Sequence, residues 1–299
     1  MPWLQIKFFT SPEQAAEIED LLLESGCASV TLLDAADTPV YEPEKGSTPL
    51  WQHTIVMGLY EDNVVEQEIV DHVRNHLVLA DNQTFPQYKS EILEDKEWER
   101  AWMDHFHPIQ FGKRLWVCPS WREVPDPTAT NLMLDPGLAF GTGTHQTTAL
   151  CLEWLESLDL TDLDIIDYGC GSGILGIAGL LLGARHMIGV DNDSQALIAT
   201  RDNARRNHIE DSRVEIYLPD DFPPQQADVV VANILAGPLI TLAPVIADCV
   251  KPGGLIAMSG LFERHVDSIM LSYAPWIEFS PYATKEGWVR LNGVRRITE

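Results

Sequence analysis

The sequence lacks paired cysteines, long apolar runs and an excess of basic residues. Its five cysteines are scattered and form no CxxC pair, which argues against a disulfide framework and against a zinc site. No stretch approaches the roughly 18 consecutive apolar residues of a membrane span. The first residues show no basic region followed by an apolar stretch, as a signal peptide would. These absences favour a soluble, cytoplasmic protein with reduced cysteines and no membrane partner.

The charge balance is strongly acidic. The chain has 299 residues and a formal net charge of −25, from 45 acidic and 20 basic residues. Phosphate contacts supply most of the affinity of a nucleic-acid binder, so this composition predicts no direct nucleic-acid partner. It favours a basic protein partner, although solubility alone also explains such a charge. At roughly 150 residues per domain, the length predicts about two domains. We expect the protein to be a monomer.

The first 93 residues read as a small α+β domain. Ser11 and Pro12 have the residue types of a helix start, and the following helix is expected to end at Gly26. A loop rich in proline, glycine and acids covers residues 37–48. The predicted strands and helices follow one another in the order of a ferredoxin-like βαββαβ domain. No residue pattern in this domain indicates catalysis, so we expect the domain to bind or position a substrate. The predicted strands are residues 3–9, 28–34, 53–60 and 87–93, and the second predicted helix is residues 64–77.

Residues 94–125 are expected to form a connecting helix and linker. Trp98, Trp102 and Phe106 are spaced four apart and would share one face of a helix. They are expected to pack as an aromatic seam, and a substrate channel is the alternative. His105 and His107 lie close by without the carboxylate and histidine constellation of a metal site, so no metal is predicted.

Residues 126–299 alternate between strand and helix patterns from Leu160 onward, which predicts a Rossmann-like, seven-stranded α/β domain. Five central strands are predicted from their apolar runs, and two more are expected to close the sheet. The predicted strands are residues 164–168, 187–190, 214–217, 227–232 and 255–259, with the closing strands near 276–282 and 288–294.

A glycine-rich turn follows the first strand of this domain. Gly169, Gly171 and Gly173 alternate after Asp167 and precede a helix. Glycines allow close approach of the backbone to a ligand, and a helix N-terminus offers unpaired N–H groups. Asp191 lies 22 residues after Gly169, at the end of the next strand, where a carboxylate can accept both hydroxyls of a ribose. These residues predict a nucleotide-type pocket.

The same glycines also permit a nicotinamide cofactor, because Gly171, Gly173 and Gly176 satisfy GxGxxG. Asp167 argues against it, since a carboxylate at the strand end would repel a pyrophosphate. It could instead bind the ammonium group of a methionine moiety, directly or through water.

The combination of motifs resembles one family. Asp167 with its glycines resembles the first motif of class I methyltransferases, and Asp191 their ribose-binding acid. Residues 135–148, DPGLAFGTGTHQTT, and residues 232–235, ANIL, resemble the PrmA family, the methyltransferases of ribosomal large-subunit protein L11. The resemblance covers the whole chain, including residues 94–100.

The resemblance implies S-adenosyl-L-methionine as cofactor and L11 as protein substrate, held by the N-terminal domain. It implies methylated lysine and N-terminal amines as products. It also implies cofactor contacts at Thr148, Gly169, Asp191 and Asn233.

A physical account of the site adds further candidates. Residues 140–148 can fold over the cofactor as a lid, with N–H groups and the hydroxyls of Thr144, Thr147 and Thr148 meeting the methionine carboxylate. In the plainer interpretation Thr144 is only the N-cap of a helix. The side-chain oxygen of Asn233 and the carbonyl of Ile234 are the predicted catalytic groups, since they can accept amine hydrogens and aim the lone pair. Ile234 and Leu235 stand where amino methyltransferases of the Asn-Pro-Pro-Tyr type have prolines.

Three alternatives remain open from the residues. The first is an amine methyltransferase acting on RNA or a small molecule. The second is a non-catalytic ribosome assembly factor that keeps an idle cofactor pocket. The third is a nicotinamide oxidoreductase.

Overall fold

The computed structural model describes residues 2–36, 50–61, 64–79, 84–93, 106–135 and 145–297. The chain divides into two compact units, Met1–His105 and Phe106–Glu299. Several predictions fall outside the described residues. These are the loop at 37–48, the aromatic positions Trp98 and Trp102, His105, Thr144 and most of the predicted lid.

The N-terminal unit is a four-stranded antiparallel sheet in the order β2-β3-β1-β4. This is the order of a ferredoxin-like domain, as the sequence predicts. In β1, Leu4, Ile6 and Phe8 are buried on one face because side chains alternate along a strand. The elements of this unit are β1 (Trp3–Thr10), α1 (Pro12–Glu24), β2 (Ser29–Asp34), β3 (Thr54–Glu61), α2 (Glu66–His76) and β4 (Gln87–Leu93).

The start of α1 is confirmed at Ser11 and Pro12. Ser11 is the N-cap, with an extended backbone, and Pro12 occupies the first helical position, where its missing N–H costs nothing. The Ser11 hydroxyl makes no capping hydrogen bond. At the other end, Gly26 has a φ of +88°, a conformation that glycine adopts without steric cost.

A small sheet that the sequence patterns did not predict opens the C-terminal unit. It consists of β5 (Ile109–Phe111), β6 (Leu115–Cys118) and β7 (Thr130–Met133), in that order. The side chain of Asn207 bonds to both backbone groups of Met133, at 2.7 Å to its N–H and 2.8 Å to its carbonyl. The strands are three or four residues long, too short for a periodicity to show.

The main sheet of the C-terminal unit has the order β10-β9-β8-β11-β12-β15-β13, and β14 pairs with β15 beside this path. The seven predicted strands are all present, and β14 is an addition. The strands are β8 (Asp164–Tyr168), β9 (His186–Val190), β10 (Val214–Tyr217), β11 (Ala227–Asn233), β12 (Val250–Phe262), β13 (Ile277–Phe279), β14 (Ala283–Lys285) and β15 (Trp288–Arg295).

Helices cover both faces of this sheet. Residues that alternate along the strands divide between two cores, with Ile165 and Val231 in one and Ile166 and Val230 in the other. Both faces of the central strands are therefore buried, as expected for a parallel sheet. The helices are α3 (Gln146–Ser157), α4 (Ile174–Leu181), α5 (Ser194–Arg206), α6 (Ala236–Thr241), α7 (Ala243–Asp248) and α8 (Val266–Tyr273).

Among the described residues, no helix has the length and apolar character needed to cross a bilayer. The same residues contain no group of three or more histidine, cysteine, aspartate or glutamate side chains placed to hold a metal ion.

Candidate functional site

The predicted site residues that the structure describes meet at the carboxyl edge of three neighbouring strands. β8 pairs in parallel with β9 and with β11. The glycine loop follows β8, Asp191 follows β9, and Asn233 ends β11. Ligands of open α/β sheets bind outside this edge, so the topology explains why residues far apart in sequence form one site.

The glycine loop depends on the conformational freedom of glycine. Gly169, Gly171 and Gly173 have φ values of +81°, +54° and +79°, which other residues rarely adopt. The N–H groups of Gly169 and Cys170 both donate to the carbonyl of Val190, at 2.7 and 3.1 Å. These bonds fix the loop against the end of β9.

Asp191 holds the loop from the other side. One carboxylate oxygen, Oδ2, accepts the N–H of Gly171 at 2.8 Å, and Oδ1 accepts the N–H of Asp193 at 3.0 Å. Each carboxylate oxygen has a second lone pair. Both oxygens therefore keep an acceptor site for a ribose hydroxyl.

Asp167 lies buried beneath the loop, with 1% of its surface exposed. Its Oδ2 accepts the N–H of Gly176 at 3.0 Å, so the carboxylate caps the start of α4. Its Oδ1 is buried and has no hydrogen-bond partner within the described ranges. Burial is the main cause that raises the pKa of this carboxyl to about 7, and the negative charge of Asp191 raises it further, while the Gly176 bond opposes the shift.

Two polar side chains on α5 support the loop, and sequence reasoning missed both. Thr200 Oγ1 donates to the carbonyl of Gly171 at 3.0 Å, and Asn203 Nδ2 donates to the carbonyl of Ser172 at 2.9 Å. A Cβ on Gly173 would come within 2.7 Å of Thr200 Cγ2. The only available signal was polar residues on the inner side of α5, a pattern without specificity.

Asn233 meets Thr148 across the top of the sheet. Its Nδ2 donates to Thr148 Oγ1 at 3.2 Å, and Thr148 is fully buried. The other amide atom, Oδ1, is buried with no hydrogen-bond partner in the described part of the chain. A buried unpaired acceptor costs about 1–3 kcal/mol, so Asn233 carries an unused acceptor at the strand edge.

Ile234 is enclosed by two glycines. A Cβ on Gly169 would overlap Cγ2 of Ile234, and a Cβ on Gly260 would overlap its carbonyl oxygen. Gly260 itself has a φ of +90°. The turn that follows Asn233 therefore requires glycine at both positions. The sequence analysis did not identify this role of Gly260.

The N-cap of α3 is His145, and the interpretation of Thr144 as N-cap is wrong. Helical geometry begins at Gln146, and His145 Nδ1 accepts the N–H of Thr147 at 3.3 Å. Desolvation lowers the pKa of His145, which favours the neutral ring that this acceptor role requires. Its ring packs edge-on against Trp288, with centroids 4.8 Å apart.

The arrangement fits a small nucleoside cofactor that carries a positive charge. The loop keeps backbone close to the ligand position, and Asp191 offers acceptors for hydroxyls. Asp167 Oδ1 and Asn233 Oδ1 are buried acceptors without partners among the described residues, and acceptors of this kind favour cationic or N–H donor groups.

Comparison with known proteins identifies one family. The model of "Ribosomal protein L11 methyltransferase (PrmA)" matches residues 2–296. A ribosomal protein L11 methyltransferase of Pseudomonas fluorescens is 53% identical over 296 residues, which are 99% of this chain and 100% of that protein. A protein of the same name from Marinobacter nauticus is 53% identical over 297 residues, which are 99% of each chain.

A solved structure supports the fold over about two thirds of the chain. The ribosomal protein L11 methylase of Lactobacillus delbrueckii subsp. bulgaricus has a TM-score of 0.58 and 28% sequence identity. The match covers 64% of this chain and 99% of that one.

Proposed function

This chain belongs to the PrmA family of ribosomal protein L11 methyltransferases, and on that premise we propose that it methylates lysine side chains and the N-terminal amine of L11, with S-adenosylmethionine as methyl donor. The observation that supports this chemistry best is the meeting of Asp167, Asp191 and Asn233 at one sheet edge. Of these, Asn233 presents a buried acceptor, Oδ1, without a partner among the described residues.

The cofactor would be held by groups of the glycine loop and by Asp191. The cofactor supplies an electrophilic methyl group on a sulfonium, so the protein has to bind, orient and exclude water. Asp191 would accept the ribose hydroxyls, and Asp167 would face the ammonium of the methionine moiety. Thr148 would also contact the cofactor, and its hydroxyl accepts a hydrogen bond from Asn233 Nδ2 at 3.2 Å. Thr144, another proposed hydroxyl, lies outside the described residues.

The acceptor amine has to be neutral before it can attack. A lysine amine has an ordinary pKa near 10.4, and burial beside a positive charge lowers it. Asn233 Oδ1 would accept one amine hydrogen and the carbonyl of Ile234 a second. Two such bonds fix the direction of the nitrogen lone pair, which contributes to rate by orientation. The described residues offer no evident general base, so water is the proposed proton acceptor.

Family membership favours this function over the alternatives. Relatives of about 53% identity over almost their full length are named as methyltransferases of a ribosomal protein, not of RNA or of a small molecule. The net charge of −25 also suits a basic protein acceptor. The buried Asn233 acceptor has a clear use in catalysis and none in an idle pocket.

The test is methyl transfer to purified, unmethylated L11 with S-adenosylmethionine, followed by peptide mass spectrometry. We expect added methyl groups on lysine side chains and on the N-terminal amine, and none with heat-inactivated enzyme. A parallel reaction with labelled cofactor and lysate from cells lacking this protein would reveal other acceptors. Label in RNA or in small molecules would overturn the protein acceptor. Cofactor binding without any transfer would establish the assembly-factor alternative.

A further inference from the structure

The N-terminal unit contains a groove that the proposed chemistry does not use. It lies between the start of α2 and the strands β1 and β4, and its volume is about 320 Å³. This is near the lower end of the roughly 300–1,000 Å³ found for ligand pockets. The residues that line it are Leu4, Val64, Glu66, Ser90, Glu91 and Ile92.

The groove exists because the helices do not fully cover the edge of the sheet. Among the described strands, β4 is an edge strand that pairs only with β1, in the register Leu4 with Ile92. Paired residues point to the same face, so Ile92 lies on the face whose Leu4 is buried. Yet Ile92 is 69% exposed while Leu4 is 7% exposed. Ile92 therefore gives the groove an exposed apolar surface on this face of the sheet.

Its wall is acidic. Glu66 is the first helical residue of α2 and is half-buried, and it forms no ion pair or hydrogen bond through its carboxylate with the described residues. The net charge of the surrounding chain is also negative, since residues 1–93 contain 16 acidic and four basic residues. An apolar surface beside an unneutralised carboxylate suits a long side chain with an aliphatic stem and a cationic end.

We propose that this groove receives a lysine or arginine side chain of the protein acceptor. The aliphatic stem covers Leu4, Val64 and Ile92, and the cation pairs with Glu66. This proposal rests on the proposed function, because it needs a basic protein as acceptor. It assigns Glu66 and Ile92 to acceptor binding, separate from the groups that bind the cofactor.

The test compares two charge reversals in the full-length enzyme. Glu66→Lys reverses a charge that lines the groove. Glu68→Lys makes the same charge change in the first turn of the same helix, but Glu68 does not line the groove. The dissociation constants for unmethylated L11 and for S-adenosylmethionine are measured by calorimetry. We expect Glu66→Lys to weaken L11 binding about tenfold. Glu68→Lys should change it much less, and cofactor binding should stay unchanged in both.

A second pair tests the apolar surface of the groove. Ile92→Ser should weaken L11 binding, while Leu23→Ser, at a 51% exposed position on α1, should not. Equal effects of Glu66→Lys and Glu68→Lys, or wild-type affinity in both groove variants, would overturn the groove while leaving methyl transfer intact. Absence of transfer to L11 by the wild-type enzyme would instead overturn the proposed function and this inference with it.

Discussion

The two units use their acidic residues differently. Residues 1–105 contain 21 acidic and six basic residues, and residues 106–299 contain 24 and 14. In the C-terminal unit Asp164 contacts Arg185 at 2.6 Å, and Lys251 binds Asp228 at 2.9 Å. The closest described ion pairs of the N-terminal unit are longer, at 3.7–3.9 Å. Among the described residues of this unit, no acid has a cation as close as in those two C-terminal pairs, and the unit's excess of negative charge can attract a basic partner.

Buried polar groups show the opposite distribution. Among the described residues of the N-terminal unit, the buried polar side chains are Thr54 and, through its hydroxyl, Tyr60. Aromatic residues apart, the described part of the C-terminal unit buries eight, and most of them lie near the glycine loop or the end of β11. Burying polar groups costs free energy unless they are paired or used. This difference supports the proposal that the C-terminal unit carries the chemistry and that the N-terminal unit attracts the acceptor.

The largest expected effect is the loss of turnover in Asn233→Ala, which tests whether the C-terminal unit carries the chemistry. Loss of the Oδ1 acceptor should lower kcat by one to three orders of magnitude, by analogy with the loss of a positioned polar group. Binding of L11 should change little, and binding of S-adenosylmethionine, which Asn233 is also expected to contact, should weaken less than kcat falls. The measurement is turnover with L11 at saturating concentrations of both substrates.

A graded control for Asn233 is Thr148→Val, which keeps the buried volume and removes the hydroxyl that holds Asn233 Nδ2. One lost hydrogen bond of about 1 kcal/mol corresponds to a reduction of roughly fivefold. Near wild-type turnover of correctly folded Asn233→Ala would refute the catalytic assignment.

Asp191→Ala should act mainly on cofactor affinity. Hydrogen bonds to a charged group contribute about 1.5–3 kcal/mol, which corresponds to a loss of affinity of roughly 10- to 100-fold. Calorimetry with S-adenosylmethionine measures it. The matched control is Asp193→Ala, two residues later, where the carboxylate caps α5 through the N–H of Gln195. Unchanged affinity in Asp191→Ala, or an equal loss in Asp193→Ala, would remove the ribose assignment.

A smaller effect is expected in the pH dependence of cofactor affinity, which should reflect the ionisation of Asp167. Because its pKa is raised to about 7, the carboxyl is protonated and neutral below that pH. A cationic cofactor prefers the ionised form, so affinity should increase as pH rises through about 7, by at most tenfold per pH unit. Asp167→Asn should remove this dependence. A cofactor dissociation constant independent of pH in the wild-type protein would contradict the proposed contact.

The same residue has a consequence for stability. The carboxyl of the unfolded chain loses its proton near the ordinary aspartate pKa of 3.8, and the folded one near 7. The folded state therefore holds an extra proton between these values, and the free energy of unfolding contributed by Asp167 falls as pH rises through that window. Asp167→Asn should flatten this part of the stability profile, which chemical denaturation at a series of pH values would measure.

Elements with strong periodicity and motifs with fixed spacing were predictable from the sequence. The strands of both sheets, and the position of Asp167, Asp191 and Asn233 at strand ends, follow from apolar patterns and from motif spacing. The short strands β5 to β7 gave no periodic signal. Thr200 and Asn203 support the loop through tertiary hydrogen bonds, which no local pattern encodes. The N-cap was misplaced because both Thr144 and His145 offer acceptors, and only geometry chooses between them.

The smallest expected effect lies in the N-terminal unit. Tyr60 is fully buried, and its hydroxyl lies 2.7 Å from Ser25 Oγ and 3.3 Å from the carbonyl of Leu22. Tyr60→Phe keeps the ring, and Ser25 retains its own bond to Leu22 at 2.8 Å. The free energy of unfolding of this unit should therefore fall by only about 1 kcal/mol, as measured by hydrogen exchange of the β3 amides. Cofactor affinity should stay at the wild-type value, and a change in it would show that the two units do not divide their roles as proposed.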